Sequence, residues 1–308
     1  MTGEAEPKLV LSPGILPVET TAAFDRYGCA DDHRAPLTPL IISVPHAGRD
    51  YPAPLLAQAR VHPSVLRKLE DRNADILVHG LIDRGHEVVI ARAPRALIDL
   101  NRDEREIDAM MVRNLPYGAR LYSSGKMRGG LGLFPRRLHG FNELWRQPFD
   151  WGELQARIAQ VHQPYHEALA AMMQRAREAH GYAILLDVHS MPPLTPSVDQ
   201  AAPQIVLGDG FGRSASDRLI TRAEALIRSQ GLTVAQNHPY PGNYLIGRHG
   251  KPEKNFHALQ VEIDRSLYLD ASLEQISSGA GIIQDVLVKL ADALLDAWPI
   301  PAFAQAAE

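Results

Sequence analysis

Cysteine is all but missing from this sequence: Cys29 is the only one in 308 residues. A disulfide within the chain is therefore excluded, and so is a zinc cluster built from thiolates. Cys29 lies in a polar stretch, RYGCADDH, ahead of the first apolar strand pattern, a poor setting for a nucleophile. Positive charge is not in excess either. With 32 Lys and Arg against 36 Asp and Glu, the formal net charge is −4, which argues against nucleic acid as a partner. No apolar run approaches the roughly 20 residues that span a bilayer, so no membrane is expected. The N-terminus, MTGEAEPKLVLSPG, lacks the basic start and apolar core of a secretory signal, and the cytoplasm is the expected location. The G-x-S-x-G elbow of a serine hydrolase is missing. GDGFGRS (208–214) has glycines without the strand–G-x-G-x-x-G–helix order of a dinucleotide loop.

What remains is apolar residues and histidine. Hydrophobic residues make up 45% of the chain, enough to bury a large core, and the length is at the upper edge for one domain. Thirteen histidines exceed what packing needs.

Residues 1–36 read as an irregular lead-in, with a short strand near Leu9–Leu11, and residues 37–300 as a single domain. LIISV (40–44) is a buried-strand pattern ending in Pro45-His46-Ala47-Gly48. Apolar residues then recur at helical spacing from His62 to Asp83, and Gly85 follows as a stop signal. HEVVIA (86–91) and ALIDL (96–100) read as strands, and 110–150 as a long loop rich in Gly, Pro and Arg. Such a loop in a compact domain is usually functional. A long helix is expected over 151–180, then a strand at YAILLDVH (182–189). Strands near 204–207, 232–235 and 258–263 alternate with helices at about 214–229 and 271–297. Strand–helix alternation with buried strands predicts a single-domain α/β fold, a three-layer sandwich around a mixed, mostly parallel sheet. Sites in such sheets form beyond the carboxyl ends of strands.

His46 and His189 each follow or end a strand, and imidazole nitrogens arriving from two strand ends suit zinc and similar ions. Asp71 and Asp75 stand one helical turn apart on the expected helix, so either could be a third ligand, or both could form a solvated face. Asp187, two residues before His189, could orient that histidine. Glu262, inside the strand pattern ALQVEID, is a buried carboxylate that needs a partner or a function. A glutamate beside an activated water is the usual general base for amide hydrolysis, and a salt bridge to Arg265 or Arg248 is the structural alternative. Asn101-Arg102 offers a fork of donors for a substrate carboxylate, or an ion pair with Asp103 or Glu104. Arg248-His249-Gly250, beside NHPYPGNY (237–244), reads as a second polar loop on the same side.

Taken in order, SVPHAGRDYP, EDRNADILV, ALIDLNRDE, LLDVHS and NHPYPGNYLIGRHG…HALQVEID resemble the N-formylglutamate amidohydrolases over about residues 40–270. The resemblance implies a fold like that of the zinc carboxypeptidases and hydrolysis of N-formyl-L-glutamate to formate and L-glutamate, at the end of a histidine-degradation route. It implies one zinc ion per chain on His46, His189 and an acidic ligand from EDRNAD, for which Asp71 is preferred over Asp75. It implies that Glu262 is the catalytic carboxylate and that Asn101 and Arg102 grip the substrate carboxylate. Arg248, a cation outside the obviously solvated helices, is expected to help with the side-chain carboxylate or the developing oxyanion. The family usually has a Gly-Gly pair where this chain has Gly242-Asn243. A peptide-cleaving zinc amidase of carboxypeptidase or cell-wall type, and a non-catalytic metabolite-binding relative, are the alternatives.

Overall fold

The runs LIISV, AILLDVHSM and FHALQVEID are apolar on both faces, and they lie side by side, buried, in the middle of one sheet. The computed structural model of the chain describes residues 16–298 except 32 and 197–200. Eight strands form this sheet: β1 (Glu19–Thr20), β2 (Phe24–Tyr27), β3 (Leu40–Val44), β4 (Glu87–Ala91), β5 (Ala183–Met191), β6 (Ile205–Gly208), β7 (Val234–Gln236) and β8 (Phe256–Asp264). Their spatial order is β1-β2-β4-β3-β5-β8-β6-β7. Four of the seven neighbouring pairs are parallel, so the sheet is mixed and mostly parallel, as the strand–helix alternation implies.

Helices cover both faces. On one side lie α1 (Trp151–Arg157) and α2 (Gln163–His180), joined by a π-helical turn, Ile158–His162. Tyr165, Leu169 and Met172 share a core there with Ile41, Leu185 and Ala258. Gly181 closes α2 in the left-handed conformation, with φ of 81°. On the other side, α3 (Asp217–Ser229) and α5 (Gly279–Asp296) cover Ile42, Leu186 and Leu259 with Leu219, Leu287 and Leu290. A short helix, α4 (Tyr244–His249), precedes β8. Adjacent residues such as Ile41 and Ile42 thus serve opposite layers, which is why these strands are apolar without alternation. Among the described residues, no helix is long and apolar enough to cross a membrane.

Several local expectations are corrected. Residues 19–27, assigned to an irregular lead-in, supply β1 and β2, and β2 pairs antiparallel with β4. The strand suggested near Leu9–Leu11 lies outside the described residues. ALIDL is not a strand. Its alternating Ala96, Ile98 and Leu100 are buried, but Pro94 O accepts from Leu97 N, and the Asp99 carboxylate accepts from Asn101 N, so the segment turns. The helix expected over 62–83 is broken. Helical turns occupy Pro63–Leu69 and Ile76–Asp83, and Asn73 between them takes φ of 58°. Asp71 and Asp75 therefore do not share a helix face. Within 110–150 the chain folds into a helix, Gly125–Arg128, and two small strand pairs.

β4, β3, β5 and β8 run parallel, so their carboxyl ends meet at one edge. The loop after β3 is pressed hard against the chain that follows β4. A Cβ on Gly48 would stand 2.1 Å from Ala93 O and 2.7 Å from Arg92 O, both backbone atoms that cannot swing aside. Gly48→Ala should cost about 1–3 kcal/mol, typical of overpacking. Thermal unfolding would show it as a lower midpoint, and an unchanged midpoint would refute this account of the loop.

Candidate active site

The register of β5 against β8 sets Glu262 beside His189 and Gln260 beside Asp187, and Ser43 of β3 lies beside Asp187 on the other flank. Period-two alternation turns these side chains to one face. His46 comes in from the end of β3, and Asp71 from the break between the two helical stretches. Asp71 N donates to His46 O at 2.9 Å, which ties that break to the strand-end loop.

The ring geometry of the two histidines is paired. His46 Nε2 donates to Asp99 Oδ1 at 2.8 Å, and His189 Nε2 donates to Asp187 Oδ2 at 2.8 Å. With those protons placed, both Nδ1 atoms face Asp71 Oδ2, at 3.5 Å from His46 and 2.9 Å from His189. His46 Nδ1 is buried without a hydrogen-bond partner. One ligand atom each from His46, Asp71 and His189 lies within 4.8 Å of the others, and all three side chains are buried. Imidazole and carboxylate lone pairs converging in the interior need a positive charge between them. The donor set fits a divalent cation, with Asp99 and Asp187 fixing the rings from behind.

The electrostatics agree. Burial opposes charge on Asp71, yet hydrogen bonds with His189 and His46 hold its carboxyl well below the usual range. Burial would strip the proton from His189, but Asp187 and then Asp71 hold its pKa well above the ordinary value. Asp99 is likewise buried yet held low, chiefly by Arg95 and Arg102. Glu262 differs. Burial pushes its carboxyl up to about 7, with His189 pulling the other way. It accepts a hydrogen bond from Gln260 Nε2 at 2.9 Å and, among the described residues, has no ion pair. The salt bridge to Arg265 or Arg248 is thus not formed. Arg265 braces Asp71 instead, donating to Asp71 Oδ1 at 3.1 Å and Glu70 O at 2.6 Å.

These groups line a cavity of about 420 Å³, shared by His46, Asp71, His189, Glu262, Asn101 and Arg102. Asn101 Oδ1 accepts from Leu245 N at the start of α4, and Arg102 is held by Leu131 O and Asn101 O. Asp103 pairs with Arg105 rather than with Arg102. Behind this segment sits a buried histidine stack. His166 Nε2 donates to Leu100 O, His162 Nε2 donates to Arg102 O, and His249 Nε2 lies 3.0 Å from His166 Nδ1. Burial lowers the pKa of all three, that of His249 to about 3.

Two expected site residues are not there. Asp75 turns away and pairs with Arg49 at 2.6 Å, because the left-handed Asn73 separates it from Asp71. Arg248 is partly exposed, bonded to Tyr244 Oη at 2.6 Å and 3.5 Å from Glu104, and does not line the cavity. Being next to a Pro/Gly-rich loop said nothing about the direction of its side chain on α4. Sequence reasoning missed Asp99, Arg95, Gln260 and Lys126. Asp99 was hidden by reading ALIDL as a strand, although an Asp two residues before Asn is an ordinary turn signal.

Residues 38–269 match the profile of the N-formylglutamate amidohydrolase family. The chain is similar to an N-formylglutamate deformylase of Pseudomonas putida, 30% identical over 274 residues that cover 84% of this chain and 93% of that one. A second N-formylglutamate deformylase, from Pseudomonas aeruginosa, is 29% identical over 238 residues, 75% of this chain and 82% of its own. The crystal structure of an N-formylglutamate amidohydrolase from Ralstonia eutropha JMP134 superposes with a TM-score of 0.80 at 31% identity, covering 90% of this chain and 97% of that one. A gene product of Agrobacterium tumefaciens shares the fold, with a TM-score of 0.60 at 17% identity, over 88% of this chain and 96% of its own.

The ring-orienting carboxylates make a measurable difference if the centre holds a cation. Asp99→Asn should weaken zinc binding about 10–100-fold while preserving cooperative unfolding. His46→Ala should abolish stoichiometric binding. Competition against a chromophoric chelator measures both, and wild-type affinity in His46→Ala would remove this residue from the site.

Proposed function

Because the chain belongs to the N-formylglutamate amidohydrolase family, we propose that it is a metal-dependent hydrolase of linear amide bonds that cleaves N-formyl-L-glutamate to formate and L-glutamate. One observation carries the reading. A two-histidine, one-carboxylate centre, an unpaired buried glutamate and a cationic wall share a single cavity. The reading carries with it a place at the end of a histidine-degradation route, in the cytoplasm.

His46, His189 and Asp71 would hold one divalent ion per chain, and two imidazoles with a carboxylate suit zinc. When bound, that ion would polarise the scissile carbonyl and make a neighbouring water more acidic. Glu262 is the group left to move protons. It takes one from the attacking water and returns it to the amide nitrogen as the C–N bond breaks, which leaves formate and a free amine. Gln260 orients its carboxylate through the 2.9 Å bond to Oε1. Asn101 and Arg102 orient the α-carboxylate; Leu131 O holds the Arg102 side chain, α4 holds the Asn101 side chain, and His162 holds the Arg102 carbonyl.

Purified protein should contain about one zinc-class ion per chain and release formate from N-formyl-L-glutamate faster than from other N-acyl amino acids. Chelation should abolish turnover and zinc should restore it. Glu262→Gln keeps the size of the side chain and removes the base, so kcat should fall by roughly 10²–10⁴ with metal content unchanged. Near-normal turnover in Glu262→Gln would rule out its assigned role. No formate from any N-formyl amino acid in the metal-loaded enzyme would overturn the function.

A further inference from the structure

Arg95, Arg102 and Lys126 bring three cations to the lining of the cavity. Arg95 Nε donates to Asp99 Oδ2 at 2.9 Å, and Arg102 Nε lies 3.8 Å from the same oxygen. Asp99 also takes hydrogen bonds from His46 and from Asn101 N, so one carboxylate is shared among four cationic or donor groups. Glu106 lies 3.8 Å from Arg102, and burial pushes its carboxyl up. Lys126 joins Arg95 and Arg102 in lining the cavity. Among the described residues its ammonium has no hydrogen bond or ion pair. Burial lowers its pKa, Arg102 and Arg95 lower it further, and Glu262 and Asp99 pull the other way.

Lys126 is held in place rather than free to leave. It sits on the helix Gly125–Arg128, whose N-cap Ser124 accepts from Met127 N. Ser124 Oγ also donates to Glu106, which binds this helix to the Arg102 segment. On the far side, Leu131 O receives Arg102 Nε and Leu133 N donates to Glu106 O. Gly132 allows that approach, since a Cβ there would stand 2.6 Å from Glu106 O and 2.9 Å from Met127 Cγ. The Gly-rich stretch at 124–133 is thus stapled to the segment that carries Asn101 and Arg102.

The geometry points to Lys126, with Arg95 beside it, as the subsite that takes the second carboxylate of a dicarboxylate substrate and so sets the preference for an acidic side chain. This rests on the function proposed above and adds a residue that no motif in the sequence suggested. It fills the role expected of Arg248, which lies outside the cavity. The two cations divide the work differently. Arg95 is tied to Asp99 and through it to His46, so its loss would disturb the histidine centre as well. Lys126 touches neither, and so it is the cleaner residue to change.

The experiment compares N-formyl-L-glutamate with N-formyl-L-glutamine, which has the same shape without the second charge, in wild-type enzyme and in Lys126→Met. A charge-assisted hydrogen bond lost from the acidic substrate alone should lower the glutamate-to-glutamine ratio of kcat/KM about 10–100-fold, mainly through KM. Lys126→Arg should restore most of that ratio, and Lys126→Glu should lower it further. Calorimetric binding of L-glutamate against L-glutamine should show the same order without turnover. Wild-type discrimination in Lys126→Met, or equal losses on both substrates, overturns this subsite and leaves the function standing. A wild-type enzyme that hydrolyses neither substrate overturns both.

Discussion

Burying carboxylates is expensive, and this fold buries four of them at one sheet edge: Asp71, Asp99, Asp187 and Glu262. Most of what surrounds the cavity follows from balancing that charge. Asp187 and Asp99 each hold the outer nitrogen of one histidine, and Arg95 and Arg265 answer Asp99 and Asp71. Glu262 has no ion pair of its own among the described residues, and burial raises its carboxyl towards neutrality. The same carboxylates that favour positive charge on His189 would favour a metal cation between the two imidazoles. Metal binding and ring orientation are therefore two aspects of one electrostatic problem.

The parts of this arrangement that lie on strands were legible in the sequence. His189, Asp187 and Glu262 sit in long apolar runs, where a polar residue is conspicuous and period-two alternation states which neighbours share its face. His46 was legible as the polar punctuation after LIISV. Residues on turns were not. Asp99 lies in a segment whose alternating apolar residues mimic a strand, although a proline and an Asx turn control its backbone. Asp75 was misplaced because one left-handed residue, Asn73, breaks a helix that apolar spacing alone continues. Arg248 shows a different limit, since a short helix can turn a side chain away from the loop that precedes it. Lys126 lay in a stretch without periodicity, so nothing in the pattern placed it.

The Pro/Gly/Arg-rich region after residue 110 earns its length through contacts rather than through a core of its own. Its strand pairs are very short, yet Leu131, Leu133 and Ser124 connect it to Arg102 and Glu106. Asn243 lines the cavity beside Gly242.

The histidine stack behind Asn101 and Arg102 has a directional logic. His166 donates from Nε2 to Leu100 O, so its Nδ1 must accept, and His249 must then present a proton from Nε2. The tautomers form a one-way chain that a second proton on His166 would break. Burial disfavours a positive charge on all three rings. The carbonyls of Leu100 and Arg102, beside the cavity, are therefore held by ring N–H dipoles. Such an anchor contributes no net charge to the cavity and is little affected by ionic strength, so salt can screen the substrate without loosening the backbone that receives it.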